Sequence, residues 1–266
     1  MGVLNITPDS FSDGGRHIGI AAALAAAHRM LDEGATIIDI GGESTRPGAD
    51  QVSVTEECDR VLPLIERLCA ERDCIVSIDT MKPAVMQAAC RAGAAIINDV
   101  NALQAPGAIE IAAAEQAAVC LMHMQGEPRT MQLAPTYCSV IDEVSSFLES
   151  RVAACVVQGI PAARLLIDPG FGFGKTLAHN LELLAHLPRF QLLRLPILVG
   201  MSRKGMLGEI TGRAVAERTA AGLAAATLAV CNGASLVRTH DVAATVDALK
   251  VADAVRRAAQ ALSAPS

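Results

Sequence analysis

The chain has no tryptophan and one tyrosine, and aromatic residues make up only 2% of its 266 positions. A core built on large rings is excluded, so the interior must be assembled from Ala, Leu, Ile and Val. Three of the five phenylalanines (Phe11, Phe171 and Phe173) stand in glycine-rich stretches, where a flat ligand or a closing loop would use them. None of the eight cysteines forms a CxxC pair, and they read as reduced thiols of a cytoplasmic protein. His17, His28, His179 and His186 show neither HExxH nor any other paired zinc-ligand spacing. No long basic run occurs and the net charge is −6, which argues against nucleic acid as a partner. No secretory signal is visible, and no apolar run approaches the ~20 residues of a membrane span.

What is present is a repeat of chemistry. Short apolar runs recur, and each ends in polar residues: GVLN at Asn5, TIIDIGGEST at Thr45, IVSIDT at Asp79, AIIND at Asn98, VCLMHM at His123, LLIDPGFG at Asp168, ILVGMSRK at Lys204 and SLVRTH at Arg238 and His240. Unbroken apolar runs mark strands buried on both faces. Their centres fall near Val3, Ile37, Val76, Ile96, Val119, Leu166, Leu198 and Leu236, about one βα unit apart. Helices are expected between them: Ile20–Asp32, a helix opened by the Ser53–Glu56 capping box and running toward Arg72, another between Pro83 and Gly93, Val140–Gln158, the Ala-rich Ala214–Cys231, and Val242–Leu262. The pattern predicts an α/β fold, a single (β/α)8 TIM barrel over residues 1–266, with its active site at the C-terminal rim of the strands. An open doubly wound sheet would carry a dinucleotide fingerprint after its first strand, and none is there. Because the first strand begins almost at Met1, the native chain is expected to start earlier.

The rim residues suggest the chemistry. NITPDSFSDGG and GGESTRPGAD are long loops on adjacent strands and suit a lid (8–16 and 43–51). Asp79, Asn98 and Asp168 with Lys204 make a floor of acceptors and one cation. That floor suits a 2-amino-4-oxo pyrimidine ring, on which Arg238 could stack. Arg238 and His240 after the eighth strand suit a diphosphate, and Asn5 could give an oxygen to Mg²⁺. The competing reading of Arg238 and His240 is an ion pair with Asp241. PGFGFGKT at 169–176 resembles a phosphate-binding loop, but Pro169 stands where that motif needs glycine, and the segment comes too late in the chain.

Eight motifs, GVLNITPDSFSDGG, IIDIGGESTRPGA, SIDT, IINDV, LMHMQG, LLIDPGFGFGK, LVGMSRK and VRTHDV, carry a resemblance to the dihydropteroate synthases of the folate pathway over essentially the whole chain. The resemblance implies a transferase that joins 4-aminobenzoate to 6-hydroxymethyl-7,8-dihydropterin diphosphate with Mg²⁺. It implies a dissociative mechanism, a homodimer and a pocket open to sulfonamides. It places Asp79, Asn98, Met122, Asp168, Lys204 and Arg238 at the pterin, with Asp79, Asp168 and Lys204 as the catalytic residues. Thr45, Arg238 and His240 fall at the diphosphate, Asn5 at the metal, and Phe11, Thr45, Arg46, Pro47, Phe173 and Ser202 at the aminobenzoate. The family's usual lead-in segment does not precede Gly2. Two alternatives remain: a pterin-dependent methyltransferase, which would not need the two long loops or the diphosphate anchors, and a catalytically inactive pterin-binding homologue. His123 receives no role.

Overall fold

The computed structural model describes residues 1–6, 15–44 and 51–263. Among the described residues, eight strands alternate with helices. They are β1 (Gly2–Asn5), β2 (Ile37–Gly41), β3 (Ile75–Asp79), β4 (Ile96–Asp99), β5 (Ala118–Met122), β6 (Leu165–Asp168), β7 (Leu198–Val199) and β8 (Leu236–Val237). The helices of the described residues are α1 (Gly15–Asp32), α2 (Val54–Glu71), α3 (Pro83–Arg91), α4 (Ala108–Ala114), α5 (Val140–Val157), α6 (Leu177–Ala185), α7 (Gly205–Thr211), α8 (Thr219–Cys231) and α9 (Val242–Ser263). Each predicted strand centre lies within a strand of the structure.

The first six strands pair in parallel in chain order, and β7 pairs with β8. Two further parallel bridges close the ring, Ile167 with Ile197 and Gly2 with Thr239. At these seams the Ile167 N–H donates to Pro196 O at 3.0 Å and the Val3 N–H to Thr239 O at 3.0 Å. The strands are short and almost wholly buried because helices cover one face and facing strands cover the other. With no tryptophan available, the largest fully buried side chains include Phe171, Phe190, Ile38 and Leu64.

Local signals place most helix ends. Ser53 caps α2, its Oγ accepting from the Glu56 N–H at 3.1 Å. Pro83 opens α3 as the first-turn rule requires. The predicted continuous helix Ala214–Cys231 is broken in the structure. A 3-10 turn, Val215–Glu217, precedes α8, and Arg218 stands between them. The Arg218 guanidinium donates to the carbonyls of Arg213, Arg203 and Lys204, which turns the chain there. No helix among the described residues is long and apolar enough to cross a membrane.

Candidate active site

Strand register assembles the site. Asn5, Gly41 and Asp79 are paired across β1, β2 and β3, and Asp79 is paired with Asn98 on β4. These residues therefore sit side by side at the C-terminal ends of their strands. Gly41 keeps the row open, since a Cβ there would lie 3.2 Å from Asn5 Oδ1 and 3.6 Å from Asp79 Cβ. Asp39, two residues before Gly41, points to the same face and is fully buried.

Asp39 is the hub that sequence reasoning missed. Its Oδ2 accepts from Arg238 Nε at 2.6 Å and from Asn98 Nδ2 at 3.2 Å. The same guanidinium donates through NH2 to Asp79 Oδ2 at 2.8 Å. Arg238 thus reaches from β8 to β2 and β3 rather than to Asp241. Asp241 instead pairs with Arg203 at 2.7 Å. The outer oxygens, Oδ1 of Asp39 and of Asp79, are buried without a hydrogen-bond partner. Unpaired buried acceptors are costly, and a ligand's N–H groups would satisfy them.

Electrostatics follow from this burial. Desolvation pushes the Asp79 carboxyl well above the usual carboxylate range. Arg238 opposes that shift, and the negative Asp39 reinforces it. Burial also raises Asp168, which Lys204 and the Gly170 N–H, donating to Oδ1 at 2.7 Å, partly offset. Burial lowers Lys204 to about 8 against the pull of Asp168. Arg238 goes the other way, because attraction to Asp39 and Asp79 outweighs desolvation.

Above this floor lies a cavity of about 560 Å³, lined among others by Asn5, Asp79, Phe173, Ser202, Lys204, Arg238 and His240. Lys204 Nζ donates to the Phe171 carbonyl and stands 4.5 Å from the centroid of the Phe173 ring. Ser202 Oγ accepts from the His240 N–H at 3.2 Å and lies 3.1 Å from its Nδ1. A residue expected at the aminobenzoate is therefore joined to one expected at the diphosphate. Asn98, Met122 and Asp168 are buried at strand ends, with Met122 paired to Asp168. Phe11, Thr45, Arg46 and Pro47 lie outside the described residues.

Two further groups were unassigned in the sequence. Lys175, the lysine of the phosphate-loop look-alike, is buried and lies 3.0 Å from His123 Nδ1. No sequence motif joins them, because 52 positions separate them. Asp39 did leave a signal: a carboxylate inside a strand buried on both faces needs a partner.

The sequence pattern of the family described as pterin binding enzyme matches residues 1–240. The dihydropteroate synthase of Escherichia coli (strain K12) is 50% identical over 254 residues, covering 96% of this chain and 90% of that one. The chain belongs to the pterin-binding enzyme family, in its dihydropteroate synthase group. Among solved structures, a Yersinia pestis dihydropteroate synthase in a sulfonamide drug complex superposes with a TM-score of 0.92 at 50% identity. It covers 97% of this chain and 94% of its own. A Xanthomonas albilineans dihydropteroate synthase with 4-aminobenzoic acid gives 0.91 at 54% identity, over 96% and 92%. Superposition over nearly the full length of both chains shows that this family member shares their fold.

Proposed function

We infer that this chain condenses 6-hydroxymethyl-7,8-dihydropterin diphosphate with 4-aminobenzoate to give 7,8-dihydropteroate and diphosphate. The observation that carries the reading is the unpartnered buried oxygen Asp79 Oδ1, whose residue lines the cavity, together with the equally unpartnered Asp39 Oδ1, which Arg238 joins to it from beneath. With Asn98 and Asp168, they are the acceptors a pterin's N–H edge requires. Lys204 would donate to the ring's oxygen or nitrogen. Asp79, Asp168 and Lys204 are the catalytic residues of this reading.

Chemistry follows the charges. The bond from the pterin methylene to the diphosphate breaks first, and its electrons leave with the diphosphate. Asp79 and Asp168 stabilise the positive charge left on the pterin. Arg238 and His240 hold the departing anion, with Thr45. The aniline nitrogen of the second substrate then attacks the methylene and loses a proton to water. An aniline is nucleophilic without a strong base. Phe11, Thr45, Arg46, Pro47, Phe173 and Ser202 would form its pocket, which is also the pocket for sulfonamides.

Asn5 would hold Mg²⁺. Its amide oxygen stands over Gly41 at the rim of the cavity, and no set of three His, Cys, Asp or Glu fit for a metal occurs among the described residues. One neutral oxygen suits an ion that keeps its water and takes its other ligands from a substrate's phosphates. When bound, Mg²⁺ would neutralise charge on the leaving group. We further read residues 1–266 as one domain, in the cytoplasm and as a homodimer. The exposed apolar side chains of Leu228 on α8 and of Val251 and Val255 on α9, two helices that pack together, suit that contact.

The test is a condensation assay with purified protein, both substrates, and Mg²⁺ present or chelated. Dihydropteroate should form only with Mg²⁺, and Asp79→Ala should lower turnover by more than ~100-fold. Product formation unaffected by Asp79→Ala would remove the floor from the mechanism.

A further inference from the structure

The loop after β6 carries Phe173 into the cavity, and its position is over-determined by contacts that the reaction itself does not need. Gly170, Gly172 and Gly174 all have left-handed backbone, with φ of 72°, 77° and 63°. A Cβ at Gly170 would overlap the His123 carbonyl, and one at Gly174 would overlap that of Gln125. The loop therefore lies flat on the segment that leaves β5. Tyr137 donates through its hydroxyl to Gly174 O at 2.8 Å, and Asn180 Oδ1 accepts from the Gly172 N–H at 2.7 Å.

At the centre of these contacts is Lys175. Its Nζ donates to three acceptors: His123 Nδ1 at 3.0 Å, the Phe173 carbonyl at 3.0 Å and the His123 carbonyl at 3.4 Å. An ammonium has three N–H groups, so this arrangement uses all of them. Burial lowers Lys175 to about 7, and in its charged form the lysine makes His123 Nδ1 the acceptor and leaves the hydrogen on Nε2. The imidazole is itself wedged against the Phe147 ring, edge to face, with centroids 5.0 Å apart. Lys175 and Phe173 line the same cavity, and on its other side the Phe173 ring faces the Lys204 ammonium.

We propose that Lys175 is a positioning residue for the second substrate. Its ammonium ties the Phe173 carbonyl to His123, just after β5, and so sets the Phe173 ring against Lys204 in the aminobenzoate pocket. His123 is the anchor in this arrangement. The inference deepens the proposed function and rests on its assignment of Phe173 to the aminobenzoate pocket. It assigns both features that the sequence left without a role, the lysine of the false phosphate loop and the histidine after β5.

The experiment compares Lys175→Met, His123→Leu and His123→Asn with the wild type. The asparagine variant keeps an acceptor oxygen close to the place of Nδ1. Lys175→Met and His123→Leu should each raise KM for 4-aminobenzoate by about 10-fold, the loss of one hydrogen bond to a charged group. KM for the pterin diphosphate should stay within about threefold. His123→Asn should restore KM for 4-aminobenzoate toward the wild-type value. A general loss of structure would instead raise both KM values and lower kcat together, and that result would overturn the proposal, as would unchanged values in Lys175→Met. The ¹⁹F resonance of 4-fluorophenylalanine placed at position 173 reads the same tie without turnover. It should move in Lys175→Met and return in His123→Asn; a resonance that does not move overturns the proposal. A wild type that makes no dihydropteroate while this resonance behaves as stated would refute the reaction and leave the tie in place.

Discussion

At the residue scale, the site is a charge network with Arg238 at its centre. Asp79, Asn98, Asp168, Lys204 and Arg238 were legible in the sequence because each follows an apolar run, and a barrel brings all such ends to one rim. Asp39 was not legible in that way, since it lies inside its strand rather than at the end. Its partners, Arg238 and Asn98, are 199 and 59 positions away. Removing one member of a buried ion pair leaves the other charge unsatisfied, which costs about 3–5 kcal/mol. Asp39→Ala should therefore lower stability in urea by that order, and kcat/KM for the pterin diphosphate by ~100-fold. Retention of both would mean that Asp79 alone orients the guanidinium. Lys204 gives a pH prediction. Burial lowers its pKa to about 8, so the ammonium is present below pH 8 and is lost as pH rises through that value. If the charged form binds the pterin, kcat/KM should fall on the alkaline side near pH 8. Lys204→Arg, which stays charged, should show no alkaline limb there even if its activity is lower. A limb at the same pH in Lys204→Arg would assign the titration to another group.

At the scale of elements, the loops decide more than the helices. The helix ends that carry their own side-chain signals, Ser53 at α2 and Pro83 at α3, fall where the sequence places them. The break before α8 was illegible because Arg218 bonds to backbone carbonyls, and carbonyls leave no mark in a sequence. Glycines in the loop after β6 were visible as a composition, but not as a fit. Gly170 and Gly159 separate the two contributions. Both have left-handed backbone, with φ of 72° and 92°. A Cβ at Gly159 would meet nothing within 4 Å, whereas one at Gly170 would overlap the His123 carbonyl. Gly159→Ala should lose about 1–2 kcal/mol of stability, from backbone conformation alone. Gly170→Ala should lose clearly more in the same urea titration and also raise KM for 4-aminobenzoate. Equal losses at the two positions would show that the loop moves aside freely.

At the scale of the whole molecule, the barrel is uneven around its ring. One apolar cluster runs from Leu4 through Ile38, Val76 and Ile97 to Val119, covering the β1–β5 side. A second joins Ile167, Val199 and Val237 with α5, α6 and α8 residues such as Val144, Leu183 and Ala229. The strands β7 and β8 contribute only two residues each, and single bridges join them to β6 and β1. The active site straddles this division. Asn5, Asp79 and Asn98 belong to the first side, and Lys204, Arg238 and His240 to the second. Arg238, bonded to both Asp39 and Asp79, is the polar tie between them across the barrel interior. Free energies of local opening should therefore differ. Amides at the seams, Ile167 N–H on Pro196 O and Val3 N–H on Thr239 O, should exchange with deuterium faster than those of Ile78 or Ile97 inside the six-stranded part. Arg238→Met removes the tie and keeps much of the side chain's length. It should speed exchange at Val3 and Thr239 by about 10-fold or more while changing Ile97 less. Pterin diphosphate, which would bind groups on both sides, should slow the seam amides in the wild type and have little effect on them in Arg238→Met. If all these amides exchanged at one common rate in both proteins, the barrel would open only as a whole, and Arg238 would serve the ligand without holding the ring closed.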